Sequence, residues 1–261
     1  MPSPGKLIDE PQANDWTSWN AHLGVTFEMT EALTLTALGA SSYRPPDMMD
    51  LYKFISLTEG DVYGNPDLDP ERSLFLEVGA DWAKGRVRLS GNAFVNWIDD
   101  YIQRQPIAAD TFQMSNVPEA RLAGVELEGH YQLNAAWELY GTLAYVKGRN
   151  TKDHEHLSFI PPINALLGAR YSKADGLWGE CEVDWAGEQN DAAPGEEPGG
   201  AWATANLRAG YQFTHGNLRH DVVLSLENAF DADYRNHLST SRGIELREPG
   251  RTLEATWSVA F

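Results

Sequence analysis

The chain has one cysteine, Cys181, so it can form no intramolecular disulfide and no Cys-rich zinc site, and that residue reads as a small apolar side chain. Basic residues are also scarce. Twenty Lys and Arg stand against 38 Asp and Glu, a formal net charge of -18 that repels a phosphate backbone and excludes nucleic acid as a partner. No stretch approaches the roughly 18 to 20 uncharged apolar residues of a membrane helix. The motifs G-x-S-x-G, Walker-type glycine loop and H-E-x-x-H are absent. His154-Glu155-His156 lacks the i, i+4 spacing of a helical metalloprotease, and Asp99-Asp100 falls on opposite faces of a strand, where the two acids cannot share a substrate. The chain is therefore not expected to be an enzyme. The opening Met1-Pro2-Ser3-Pro4-Gly5 shows no basic segment followed by an apolar run, so an upstream portion is expected.

What is plentiful is period-2 alternation. The last segment separates into Leu253, Ala255, Trp257, Val259, Phe261 on one face and Thr252, Glu254, Thr256, Ser258, Ala260 on the other. The same division recurs with Leu218, Val222, Leu224, Leu226; with Ala203, Ala205, Leu207, Tyr211, Phe213; with Leu177, Cys181, Val183, Trp185; and with Leu74, Leu76, Val78, Ala80, Trp82. A mean hydropathy of -0.42 would suggest a water-soluble chain, but a transmembrane strand shows lipid only every second residue. We read about eleven strands of roughly 10 to 13 residues, longer than soluble strands and matched to a tilted bilayer crossing. Trp82, Trp97, Trp137, Trp185, Trp202 and Trp257 fall near strand ends, where rings seat at the bilayer interface, while Trp178 falls on the polar, lumenal face.

The links alternate as in an outer-membrane barrel. Short turns near Met29 to Ala32, Lys84-Gly85-Arg86, Asn134-Ala135-Ala136, Lys173 to Gly176 and Thr214 to Asn217 alternate with long links. The long ones are expected near Arg44 to Asp69, Gln103 to Glu119, Gly148 to Pro161, Gln189 to Gly200 and Asp231 to Pro249, exposed to the outside. An odd strand number with a periplasmic C-terminus predicts that residues 1–15 are the remnant of an external loop and that 16–261 are a barrel segment cut from something larger.

Several runs carry a family resemblance. Gly64-Asn65-Pro66-Asp67-Leu68-Asp69-Pro70-Glu71, Gly124-Val125-Glu126-Leu127-Glu128-Gly129, Ile160-Pro161-Pro162, Glu227-Asn228-Ala229-Phe230-Asp231-Ala232-Asp233-Tyr234-Arg235 and Pro249-Gly250-Arg251-Thr252, with the terminal Phe261, resemble runs of the TonB-dependent outer-membrane receptors in order and spacing. The resemblance implies an all-β transmembrane antiparallel barrel segment, the C-terminal half of a 22-stranded barrel in the outer membrane. It further implies TonB-energised uptake of a metal ion, metal chelate or siderophore. The partners it implies are membrane lipid, an N-terminal barrel half with its plug, and the TonB complex reached through that plug. Tyr234-Arg235-Asn236-His237-Leu238-Ser239 and Arg247-Glu248-Pro249-Gly250-Arg251 are most similar to members that handle copper or zinc. The expected cargo is copper, zinc or chelated iron, with no resident cofactor.

Candidate metal donors are few. His154 and His156 flank Glu155 and would point the same way in an extended loop, as two imidazoles for a borderline-soft cation; the plainer reading is two solvated loop histidines. Met48 and Met49 could offer thioethers to Cu(I) or pack beneath a loop. His237 is a third imidazole, or a loop anchor. The rivals to the transport reading are a plugless outer-membrane binding or adhesion barrel, a non-functional truncated receptor, and a soluble β protein whose apolar face is packed on a second sheet.

Overall fold

The computed structural model describes residues 15–57, 60–174, 176–240 and 246–261. The wall is built from β1 (Ala21–Thr30), β2 (Leu33–Arg44), β5 (Glu71–Lys84), β6 (Val87–Ala108), β7 (Thr111–Gln132) and β8 (Trp137–Asn150), followed by β9 (Asn164–Ser172), β10 (Leu177–Ala186), β11 (Trp202–His215), β12 (Leu218–Glu227) and β13 (Thr252–Ala260). Each pairs antiparallel with its sequence neighbour, the pattern left by successive hairpins. Two short strands, β3 (Phe54–Leu57) and β4 (Gly60–Tyr63), bring the sheet to thirteen among the described residues. They lie off the wall, in the long link after β2. The expectation of about eleven strands thus holds for the wall and misses this hairpin. The remnant loop expected at residues 1–15 lies, save for Asp15, outside the described residues.

Side-chain exposure decides the environment. Leu23 is 74% exposed, Val78 60% and Leu253 76%, and these belong to one continuous outward face. The inward face carries the acids and amides, and the Glu180 and Glu182 side chains are only 12% exposed. A soluble sandwich needs its apolar face covered by a second sheet. Among the described residues there is one sheet and no second sheet lies on that face.

Aromatic rings cluster near the strand ends on the outward face. Trp137 lies 5.1 Å from Tyr171 between ring centroids, and Phe213, His220 and Trp257 stack at 4.8 and 5.9 Å, as rings do where hydrocarbon meets headgroups. Trp202 departs from the expectation. It shares its face with Thr204, Asn206 and Arg208, packs tilted against Tyr234 with ring centroids 4.5 Å apart, and is therefore lumenal rather than interfacial. Trp178 is lumenal as expected, with the Arg170 guanidinium 5.3 Å from its ring.

The main correction concerns Gln103 to Glu119. That stretch is not a loop: β6 and β7 continue as 22-residue strands and turn at Ala109-Asp110. Their upper halves stand beyond the bilayer and carry the packed core. Ile98, Val117, Ala120, Leu157 and Ile160 form one buried cluster, and Leu51, Leu68, Ile102 and Met114 form another. The long links after β2 and β8 supply the rest of these clusters, so the outer loops rest on the hairpin as a packed cap.

Candidate functional site

The Gly64-to-Glu71 run and the runs around Asn228 and Pro249 turn out to fasten the outer links. Glu71, closing the Gly64-to-Glu71 run, accepts two bonds from the Arg44 guanidinium at 2.9 and 2.7 Å and one from the Ile102 amide at 2.8 Å. Arg44 also reaches Asp50 at 3.0 Å, which ties the short helix α1 (Met48–Tyr52) to the wall. Leu68 fills the second apolar cluster, and Asn116 on β7 brackets Asp69 by accepting from its amide and donating to its carbonyl, both at 2.9 Å. In the later run Asn228, buried at φ +48, donates to the Ala232 and Pro249 carbonyls and accepts from the Ala232 amide. Asp231 then accepts from the Arg251 amide at 2.8 Å, which closes the link between β12 and β13.

Below the cap, the inward face of the wall is a ladder of carboxylates held apart by donors. Arg208 on β11 contacts Glu180 at 3.2 Å, Glu182 at 2.5 Å and Glu227 at 3.1 Å, spanning β10 to β12. Tyr140 donates to Glu182 at 2.8 Å and Asn206 donates to Asp184 at 2.7 Å. On the other half, Asn92 lies between Glu77 and Glu126, both from alternating positions that the strand period points inward. Such a surface binds water and polar solutes rather than lipid, and its excess of carboxylates favours cations.

The predicted metal donors are distributed over the cap. Met48 and Met49 sit on α1, 73% and 54% exposed. His154 is exposed and holds a left-handed φ of +60°, so the backbone there is not extended as the pairing of His154 with His156 assumed. His156 is half-buried, bridges to Arg149 and has its Nε2 3.6 Å from Asp191. Lys147 also holds Asp191, at 2.7 Å; with that bond first among the causes, the Asp191 carboxyl lies below its ordinary range. His237 is buried, 3.3 Å from the Glu196 carboxylate. Burial alone would raise Glu196, but His237 and the Ala193 and Phe159 amides overcome that and hold it below the usual glutamate range. Among the described residues no three His, Cys, Asp or Glu side chains cluster as a metal site. The sequence places Glu180, Glu182, Asp184 and Arg208 on the polar face, but which of them pair is visible only once the strand register is known.

The profile of the family described as TonB dependent receptor-like, beta-barrel matches residues 4–229. The chain belongs to that family. Its outer-membrane location follows, since the family's receptors are outer-membrane β-barrels. Among curated relatives, the heme/hemopexin utilization protein C of Haemophilus influenzae (strain 86-028NP) is 26% identical over 251 residues, covering 84% of this chain and 35% of the relative. The vitamin B12 transporter BtuB of Vibrio vulnificus (strain YJ016) is 24% identical over 255 residues, covering 97% of this chain and 39% of the relative. Among solved structures, the copper transporter OprC superposes with a TM-score of 0.80 at 24% identity, covering 95% of this chain and 40% of that one. The ferric enterobactin receptor PfeA of Pseudomonas aeruginosa gives 0.73 at 21% identity, covering 92% and 40%. The chain thus spans about two fifths or less of the length of these proteins.

Proposed function

We propose that this chain is the C-terminal part of the wall of an outer-membrane receptor that takes up a metal ion, metal chelate or siderophore. An N-terminal barrel half and plug complete the pore in this reading, and the TonB complex supplies the energy through the plug. The observation that carries it is the division of one sheet into an outward apolar face and an inward ladder of acids centred on Arg208, beneath a packed outer cap. A lipid-embedded wall with a hydrated, cation-favouring interior suits a conduit for small charged solutes. The relatives' names, which span heme, vitamin B12, copper and ferric enterobactin, agree with uptake and leave the cargo open among metal-containing solutes. Within the cap, the exposed thioethers of Met48 and Met49 are the most accessible soft donors for copper, and His154 is an exposed imidazole for zinc, whereas His156 is half-buried beside Asp191.

The test is uptake in the native host. Deleting the gene should abolish TonB-dependent accumulation of one of radioactive copper, zinc or chelated iron, and restoring the intact gene should recover it. Unchanged accumulation of all three would overturn the reading.

A further inference from the structure

Toward the outer ends of β7 and β8 the lipid-facing alternation ends in cations. The strand period carries the outward series Tyr131, Leu127, Val125 of β7 on to Arg121, and the series Leu139, Tyr145 of β8 on to Lys147 and Arg149. The register sets Arg121 directly opposite Arg149, and it places Trp97, Arg121, Arg149 and His156 in one row across β6, β7, β8 and the link that follows. Like charges directly opposite each other on one face of an antiparallel pair are destabilising, because their Cβ atoms stand only about 4.5–5.5 Å apart. Nearby acids do not relieve this pair. The row outside holds Arg72, Asp99 and Glu119, and Lys152 lies 3.8 Å from Glu119, so two acids there meet two cations. Arg149 senses the charge of Asp191 from beyond ion-pair distance, but Lys147 already holds that carboxylate at 2.7 Å and His156 approaches it at 3.6 Å. Among the described residues neither Arg121 nor Arg149 forms an ion pair. Arg121 is exposed, and Nε of Arg149 is buried with no hydrogen-bond partner. In a chain of net charge -18, two unpaired guanidinium groups thus stand side by side on the outward face.

We propose that Arg121 and Arg149 together clamp a phosphate group of a lipid in the outer leaflet of the membrane. Position selects a lipid over a soluble anion. From Tyr131 to Arg121 is ten residues, roughly 34 Å at about 3.4 Å per residue. With strands tilted by about 35–45°, that is roughly 24–28 Å of depth, against an apolar band about 25 Å tall. The two arginines therefore stand where the outer-leaflet headgroups begin, with Trp97 next to Arg121 in the row and Tyr145 two rows toward the hydrocarbon from Arg149. Chemistry selects a phosphate. Its oxygens accept the planar guanidinium fork bidentately, and one phosphate placed between the two arginines replaces their mutual repulsion with two attractions. The inference is independent of which solute the receptor carries.

The whole receptor containing this chain would be purified in detergent, freed of native lipid, and titrated with lipid A bearing its phosphates and with the same lipid after enzymatic removal of them. Bound lipid is counted by native mass spectrometry. The phosphorylated lipid should bind at least about tenfold more tightly, a preference that falls at least about fivefold in Arg121→Gln/Arg149→Gln. Arg72→Gln, which removes a cation from the balanced row outside, should leave the preference unchanged, and excess inorganic phosphate should not displace the lipid. The comparison of the two lipids on the unmodified protein needs no variant to fold, and equal binding of both overturns the proposal. A preference that survives the loss of both arginines, or falls as far in Arg72→Gln, marks ordinary boundary lipid and overturns it too. Displacement by inorganic phosphate would make the pair a site for a soluble anion and overturn the assignment to a lipid.

Discussion

The His237 imidazole lies 3.3 Å from the Glu196 carboxylate, with both side chains nearly sequestered from solvent. Glu196 belongs to the link after β10 and also accepts the amide of Phe159, in the link after β8, at 2.9 Å. His237 belongs to the link after β12, within a 3-10 turn, His237–Thr240. One carboxylate therefore fastens three outer links to each other, and the packed cap depends on its charge.

Removing that charge should loosen the cap. Charge-assisted hydrogen bonds contribute about 1.5–3 kcal/mol each, so Glu196→Ala should speed amide exchange at Phe159 and Ala193 by roughly 10- to 100-fold. Acid should act likewise. Because the folded carboxyl is held below its ordinary range, its contribution is fully present above about pH 4.3 and is lost as pH falls below that value. Hydrogen exchange read at pH 7 and at pH 3.5 would check both; exchange at these two amides that is indifferent to Glu196 would refute the clasp.

The wall was legible in the sequence because lipid on one side and water on the other impose the period of two directly on residue choice. That constraint ends where the bilayer ends. In β6 the outward apolar series Leu89, Ala93, Val95, Trp97 gives way to Ile98 and Ile102 on the opposite face, buried against the outer links. In β7 the series Val125, Leu127, Tyr131 is likewise replaced by Phe112, Met114 and Ala120. The change of face reads as a loss of alternation, which is why Gln103 to Glu119 was expected to be a loop. The pairings within the acid ladder were not legible for a different reason. Glu182, Arg208 and Glu227 are separated by 26 and 19 positions, and only the pairing of β10, β11 and β12 brings them together.

Charge on the two faces should have unequal cost. Leu76 faces lipid near the middle of β5, so Leu76→Arg is expected to destabilise the folded barrel by about 2–4 kcal/mol. Glu77, one residue on, faces the hydrated interior and bonds Asn92 at 3.2 Å; Glu77→Gln keeps an acceptor there and should cost less than about 1 kcal/mol. Urea titration of the whole receptor in lipid vesicles compares them. Similar costs for both would contradict the assignment of faces.

His237 was a candidate metal donor, and its burial against Glu196 gives that idea a sharp test. If the ring is a fastener, His237→Ala should loosen the Phe159 amide much as Glu196→Ala does, and the two effects together should be less than additive. Affinity for Cu(I) or Zn(II), measured by competition with a chromophoric chelator, should be unchanged. A loss of metal affinity with the cap intact would make the ring a ligand instead.

Arg208 stands among Glu180, Glu182 and Glu227, so Arg208→Ala leaves three carboxylates facing one another across β10 to β12. The guanidinium is about one third exposed, so water and salt screen part of the repulsion and the expected cost is about 1–2 kcal/mol. Two features distinguish this from simple loss of packing. The cost should shrink as ionic strength rises, since the Debye length falls from about 10 Å at 0.1 M to about 3 Å at 1 M. Adding Glu182→Gln to Arg208→Ala should recover part of the stability, because it removes a like charge and keeps an acceptor for Tyr140. Urea titrations of the single and double variants at low and high salt separate the cases: a cost that ignores salt and is not relieved by Glu182→Gln would show that Arg208 acts through its bulk and that the ladder is not held together electrostatically.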